Sequence, residues 1–246
     1  MQRYFVDQII DGKVIFSKDQ THHILKVMRM REKEQITCAF QKKIYLCQII
    51  SVNPLEVIVE KELEENNELE IDVTLLYCLP KGDKLDLVIQ KATELGVKEI
   101  ILVQSERCIA KIKKEDEQKK LIRFNTIAKE ASEQSKRSMV PTIDKIINFK
   151  DIANFKFDYQ FIAYENDRQN AFFTSLSEIK KHQSIAILVG SEGGFSEKEV
   201  EYALKNSYQS VSLGKRILRS ETAVFYALSA IGFMIERWYY DLQDAF

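Results

Sequence analysis

Hydrophobic and polar positions change character once along this chain. Up to about residue 70, short runs dense in β-branched and aromatic residues dominate: Arg3–Val6, Val14–Phe16, Gln35–Phe40, Ile44–Ser51 and Leu55–Glu60. Such runs predict strands. One helical segment, around Asp19–Met30, interrupts them. The pattern predicts a small barrel or sandwich, followed by a polar, acidic linker at Glu62–Glu68. From residue 71, strands alternate with helices, which predicts an α/β domain. The expected strands are Ile71–Leu79, Lys98–Val103, Tyr159–Tyr164, Ile185–Val189 and Ser210–Leu213. Asp83–Leu95 reads as a helix with Leu85, Val88, Ile89, Ala92 and Leu95 on one face and Gly96 as its stop. Glu115–Ser138 reads as a long helix, with Leu121, Phe124, Ala128 and Ala131 at helical spacing. Thr222–Ile235 is apolar nearly all round, so it reads as a helix buried on several sides.

Two loops near the end of the chain repeat one design. Leu188-Val189-Gly190-Ser191-Glu192-Gly193-Gly194-Phe195-Ser196 and Leu213-Gly214-Lys215-Arg216-Ile217-Leu218-Arg219-Ser220-Glu221-Thr222-Ala223 each leave a strand, contain glycine and open a helix. Open α/β sheets bind ligands at the carboxyl ends of their strands. Ser196 followed by Glu199 fits a capping box, and Ser220 is the expected N-cap of the last helix. Neither loop has the Gly-Lys-Ser/Thr spacing of a phosphate-cradling P-loop.

Composition narrows the class. The 246 residues are 45% hydrophobic, enough for a substantial core in one or two domains. The formal net charge of −1 argues against bulk attraction to nucleic acid, but 36 Lys and Arg leave room for a local basic patch. Cys38, Cys47, Cys78 and Cys108 lack metal-ligand spacing and read as buried thiols; with His22, His23 and His182 as the only histidines, no metal is expected. The start of the chain lacks a signal-peptide pattern, and no apolar run reaches the ~20 residues of a membrane span. A cytoplasmic protein is therefore expected.

Several polar residues fall where they would meet a ligand. Glu130, Gln134 and Arg137 share one face of the long helix; a solvated stripe with a Glu133–Arg137 ion pair is the plain alternative. Lys81-Gly82-Asp83-Lys84 leaves a strand and opens a helix, so either the motif is structural, with Asp83 capping the helix, or Lys81 meets a phosphate at the strand's end. Ser105-Glu106-Arg107 also leaves a strand, and Arg107 would join the same patch. His23, Lys26 and Arg29 recur at helical spacing, with Arg31 nearby, as RNA-backbone contacts or as a solvated basic face.

These segments, in this order, resemble the RsmE family of 16S ribosomal RNA uridine-N3 methyltransferases, within the SPOUT superfamily of knotted methyltransferases. The resemblance is carried by Arg3-Tyr4-Phe5-Val6, His23 through Arg29, Lys81-Gly82-Asp83 and Lys91 through Val97. It continues in Ser105-Glu106-Arg107, Glu130-Ala131 with Glu133-Gln134 and Arg137, Pro141, Gly190 through Phe195 and, most specifically, Leu213 through Ala223. Ser191 stands where the family often has proline, and glycines usual near Lys33 and Gln41 are absent. The resemblance implies a PUA-like β-barrel over residues 1–70, followed over 71–246 by an α/β domain with a C-terminal trefoil knot. It implies S-adenosylmethionine as cofactor, 16S rRNA or the small ribosomal subunit as partner, a homodimer and no metal.

Carried onto this chain, the cofactor site would comprise Leu188, Val189, Gly190, Glu192, Gly193, Gly194, Leu213, Gly214, Ile217, Leu218, Arg219 and Thr222. Arg219 would stabilise the uracil anion, and Glu192 or Glu221 would accept its proton or hold the cofactor. Arg3, His23, Lys26, Arg29, Lys81, Arg107, Gln134 and Arg137 are the expected RNA contacts. A knotted methyltransferase acting on another RNA such as tRNA, a noncatalytic RNA-binding assembly factor and a small-molecule methyltransferase are the rivals. The paired glycine loops with Arg219, Glu221 and Thr222 favour an enzyme, and the separate basic first domain disfavours a small substrate.

Overall fold

A computed structural model describes residues 1–167 and 169–241. The chain forms two compact units, residues 1–68 with 129–140, and residues 69–128 with 141 onward.

The first unit contains β1 (Arg3–Phe5), β2 (Gln8–Ile10), β3 (Lys13–Ile15), α1 (Lys18–His22) continued by a π-helical turn over His23–Val27, β4 (Gln35–Phe40), β5 (Lys43–Val52) and β6 (Leu55–Leu63). One six-stranded sheet runs β1-β4-β5-β6-β3-β2, with β1 parallel to β4 and the other pairs antiparallel. Its core is Tyr4, Ile36, Cys38, Cys47, Ile49 and Val57, joined by Ile24 from the π-helical turn. Burial in β5 switches from Ile44 to the odd positions Cys47 and Ile49, because a register shift between Leu46 and Cys47 reverses which side chains face inward. The sequence patterning passes over β2. Its signal is the Asp11-Gly12 pair: both residues have positive φ and join Ile10 to its partner Lys13 as a two-residue hairpin.

Arg3 is buried beside β4. Its guanidinium donates to Thr37 Oγ1 at 3.3 Å, to the carbonyls of Lys136 and Arg137, and to Glu65 at 2.6 Å. Arg137 is equally buried and donates to Glu68 Oε2 from Nη2 at 2.5 Å, while Glu68 Oε1 accepts the Ser138 and Met139 N–H groups. Both arginines therefore hold residues 129–140 in this unit and are closed to an RNA phosphate, which corrects their expected role. The anticipated Glu133–Arg137 pair is also replaced: Glu133 accepts the Phe5 N–H at 3.2 Å, and burial raises its pKa.

The second unit contains β7 (Asp72–Cys78), α2 (Lys84–Glu94), β8 (Glu99–Gln104), α3 (Lys114–Gln134, whose last turns lie in the first unit), β9 (Ile146–Asn148) with a 3₁₀ turn over Phe149–Asn154, β10 (Tyr159–Ala163), α4 (Phe172–Leu176), β11 (Ser184–Val189), α5 (Glu197–Lys205), β12 (Gln209–Val211) and α6 (Ser220–Asp241). The sheet is parallel throughout, in the order β12-β10-β11-β7-β8-β9. Central strands β7 and β11 are almost continuously buried, as helices on both faces demand. α3 stops at Gln134, four residues short of the expected end, because Lys136 turns left-handed at φ 61° and offers its carbonyl to Arg3. Short elements β9 and α4 carry too few residues to show a period in the sequence.

The capping box at Ser196 forms, with Glu199 Oε2 accepting the Ser196 N–H at 3.0 Å. Ser220 is the first helical residue rather than the cap, since the Ala223 N–H reaches the Arg219 carbonyl. Asp83 precedes α2 without capping it through its side chain.

Near the two places where the resemblance implies glycine, the backbone is left-handed: Lys33 at φ 71°, Gln41 at 49° and Lys42 at 64°. An L-residue in that region costs roughly 1–2 kcal/mol, against the ~0.5–1 kcal/mol of extra chain entropy that glycine loses. Lys42→Gly should therefore stabilise the protein by roughly 0.5–1 kcal/mol, read as a higher urea midpoint at unchanged slope. A lower midpoint would show that the Lys42 side chain does more for stability than its backbone strain removes.

Candidate active site

The sheet register builds the site. Tyr77 of β7 pairs with Val189 of β11, Val189 with Ala163 of β10, and Ala163 with Val211 of β12. Four strands thus end in one row, and the loops that leave them emerge side by side. The strand order also reverses direction at β7, the switch point at which open α/β sheets open a crevice. A cleft of about 450 Å³ lies there, lined by residues 163–165, 189–195 and 212–220 with Lys84 and Ala223. That volume falls within the ~300–1,000 Å³ typical of small-molecule and cofactor sites.

Two glycines are required, Gly193 by close approach and Gly194 by its left-handed backbone. A Cβ on Gly193 would lie 2.9 Å from the Cβ of Arg107. A Cβ on Gly194, whose φ is +65°, would lie 2.8 Å from Glu165 Oε1. The turn that places Gly194 is closed by its N–H donating to the Ser191 carbonyl at 2.9 Å, so the loop forms without the family's proline.

Charge in the cleft is organised around Lys84, at the start of α2. Its ammonium lies 2.9 Å from Glu192 Oε1 and 3.0 Å from Glu221 Oε2, so one cation joins α2, the loop after β11 and the first turn of α6. The Lys81 N–H adds a further donor to Glu192. Burial works to raise both carboxyls, but hydrogen bonds from Lys84 and from backbone outweigh it, and both lie below the ordinary glutamate value. The two carboxylates in turn raise the Lys84 pKa. Glu192 and Glu221 are thus held in their charged form at neutral pH. Arg219 also lines the cleft; among the described residues no carboxylate pairs with it.

Most of the expected cofactor positions converge here: Val189, Gly190, Glu192, Gly193, Gly194, Leu213, Gly214, Ile217, Leu218 and Arg219. Leu188 is a fully buried sheet residue behind the cleft, and Thr222 is exposed on α6 outside it, while Ala223 takes a place in the lining. The sequence pattern does not single out Lys84 or Ala163–Glu165. Their signals are that Lys84 follows Lys81 by three residues in the same motif, and that a third loop leaves β10 as the other two leave β11 and β12. Of the expected RNA contacts, Arg107 donates to the Gly193 carbonyl at 3.1 Å and so braces the loop. The Lys81 side chain is exposed, as are Gln134, Lys26 and Arg29 in the first unit. His23 Nδ1 is 2.9 Å from the Tyr4 hydroxyl, which ties that ring to the core.

A parallel sheet with a glycine-loop cleft at its switch point, joined to a small β unit, is the SPOUT-like knotted α/β class with a PUA-like N-terminal domain. Residues 67–232 match the family described as an RNA methyltransferase domain, and residues 16–62 match an RNA methyltransferase PUA domain. The chain belongs to the ribosomal RNA small subunit methyltransferase E family. It is 40% identical to the member from Bacillus subtilis over 96% of this chain and 98% of that one. It is 33% identical to the Mesomycoplasma hyopneumoniae member, over 93% and 98% respectively. Its fold superposes with a TM-score of 0.85 on the Neisseria gonorrhoeae member bound to S-adenosyl methionine, at 31% identity and covering 95% of this chain and 98% of that one.

Replacing Lys84 by methionine should cost about 1–2 kcal/mol at neutral pH, since each partly exposed pair is worth up to about 1 kcal/mol. Both glutamates have depressed pKa values, so their stabilisation is present above the unfolded value of 4.5 and lost as pH falls through the lower folded values. Denaturation curves of the two proteins should therefore converge below that pH. A gap that persists in acid would mean that Lys84 acts by packing alone.

Proposed function

We propose that this chain transfers a methyl group from S-adenosylmethionine to N3 of a specific uridine in 16S rRNA of the small ribosomal subunit. The rRNA substrate follows the names of the relatives, and the N3 position follows the family resemblance. The observation that carries the reading is the cleft at the strand ends, in which Arg219 stands as a cation facing a space bordered by backbone and carboxylates.

The residues present fit the cofactor. Val189, Leu218 and Ala223 offer apolar surface for an adenine ring, the glycine loops bring peptide groups to the surface, and Glu165 and Glu192 are acceptors for hydroxyl or ammonium groups. When bound, the cofactor supplies a sulfonium-activated methyl carbon: its bond to sulfur breaks as the new bond to N3 forms. Uridine N3 lies on the pairing edge, so the base must be unpaired or flipped out to reach the cleft. N3 must also lose its proton, which passes to solvent water at the mouth of the cleft. Arg219 stabilises the resulting uracil anion at O2 or O4, which makes that loss easier and leaves Glu192 and Glu221 to hold the loops through Lys84. Positioning the acceptor in line with the breaking bond supplies much of the remaining advantage.

In this reading residues 1–70 hold RNA and residues 71–246 carry the chemistry. The enzyme works in the cytoplasm as a homodimer. Among the described residues, no helix is long and apolar enough to cross a membrane. The pairing is supported by Tyr226 and Phe233, one heptad apart on α6 and 44% and 77% exposed, which a second copy would cover.

Labelled cofactor should give N3-methyluridine at one position of 16S RNA in small subunits from cells lacking the protein, mapped by mass spectrometry. Label in tRNA, or in another nucleoside, would overturn the substrate assignment; absence of transfer together with absence of cofactor binding would favour an assembly factor. Arg219→Ala should lower turnover roughly 10²–10³-fold, the scale of losing one anion-stabilising donor, with cofactor affinity by calorimetry changed only a few-fold. Equal losses in both would make Arg219 a cofactor ligand instead.

A further inference from the structure

The first unit carries a second cleft that the methyl-transfer chemistry does not use. It measures about 320 Å³ and is lined by Phe16, Lys18, Thr21, His22, Leu25 and Lys26. Its apolar surface comes from Phe16 and Leu25, both half-buried against the β core, with the Phe16 and Tyr4 rings nearly perpendicular at 5.9 Å. Thr21 turns its hydroxyl to the Ser17 carbonyl at 2.9 Å, which satisfies that donor within the helix. The rim is different in kind: Lys18, His22 and Lys26 are all exposed. Residues 16–31 hold Lys18, Lys26, Arg29 and Arg31 against the single carboxylate of Asp19, on a chain whose net charge is −1. The backbone is also unusual here. The helix widens into a π-helical turn, with the Met28 N–H donating to the His23 carbonyl, and leaves it left-handed at Arg29, φ 52°. π-helical turns concentrate at functional sites.

We propose that this cleft is a stacking slot for one unpaired nucleobase of the RNA, seated against Phe16, with Lys18 and Lys26 on the flanking phosphates. The inference rests on the reading of the chain as an RNA methyltransferase and adds a base-binding subsite outside its catalytic cleft. The chemistry favours a base over an acidic peptide. A flat aromatic face beside aliphatic carbon accepts any planar ring, and cations at the rim match a phosphodiester on either side of it. Single-stranded RNA is recognised in this way because unstacked bases bring a π-face and a charge together.

The probe is a short single-stranded oligouridine carrying one 5-iodouridine, compared with a twin that is abasic at that position. The full chain should bind the first more tightly than the second by roughly five- to a hundredfold, the range for stacking one base on an aromatic side chain. Phe16→Leu keeps apolar packing and removes the π-face, so it should bring that ratio close to one. Phe16→Trp should restore it, and cofactor affinity should be unchanged in both variants. Irradiation should crosslink the iodinated base within residues 16–26. An unchanged ratio in Phe16→Leu, or a crosslink confined elsewhere, overturns the slot while subunit methylation continues to support the enzyme. Loss of subunit methylation in Phe16→Leu with an unchanged oligonucleotide ratio would assign the cleft to a protein side chain, which also overturns it. If the wild-type chain neither methylates subunits nor binds the oligonucleotide, the functional reading itself fails.

Discussion

The parallel register of four strands is the constraint on which the site depends. Because Tyr77, Val189, Ala163 and Val211 are cross-strand neighbours in series, the loops after β10, β11 and β12 and the start of α2 after β7 open at one edge. Each loop alone is an ordinary strand-to-helix connection. Set side by side at the switch point, they present peptide groups, carboxylates and Arg219 to one space. Gly193 then follows from crowding, because Arg107 occupies the volume a side chain there would need, and Gly194 from its left-handed φ of +65°.

Electrostatics divides the labour among the charged groups of the cleft. Lys84 is engaged by two carboxylates from two different segments, so neither carboxylate is available as a strong base and the lysine is not available to an anionic ligand. Arg219 has no such counter-charge among the described residues. In the proposed reading, this exposed guanidinium is the cation that meets the negative charge formed on a uracil losing its N3 proton. The buried arginines of the first unit show the opposite case. Arg3 and Arg137 spend their charge on Glu65 and Glu68, and a buried pair broken on one side is strongly destabilising.

Much of this was legible in the sequence, for identifiable reasons. The long strands and the main helices of the second unit carry enough residues to show a period, and Ser196 with Glu199 states its own cap. The glycine loops were legible because strand, glycine and helix start coincide twice. What was not legible depends on partners distant in the chain. Nothing local tells that Arg3 will be buried against residues 133–134 positions later, or that Lys84 will meet Glu192 and Glu221. The same holds for α3: its pattern could continue to Ser138, but carbonyls claimed by Arg3 end it at Gln134. Short edge elements such as β2 and β9 are held by pairing and so leave little mark on composition.

The claim that the convergent loops form one cofactor cleft is tested most directly by hydrogen–deuterium exchange on the full chain with and without S-adenosylmethionine. The account predicts slower exchange in the three loops together, at residues 163–165, 189–195 and 212–219, with the first unit unchanged. Protection confined to one loop, or appearing in the first unit instead, would contradict it.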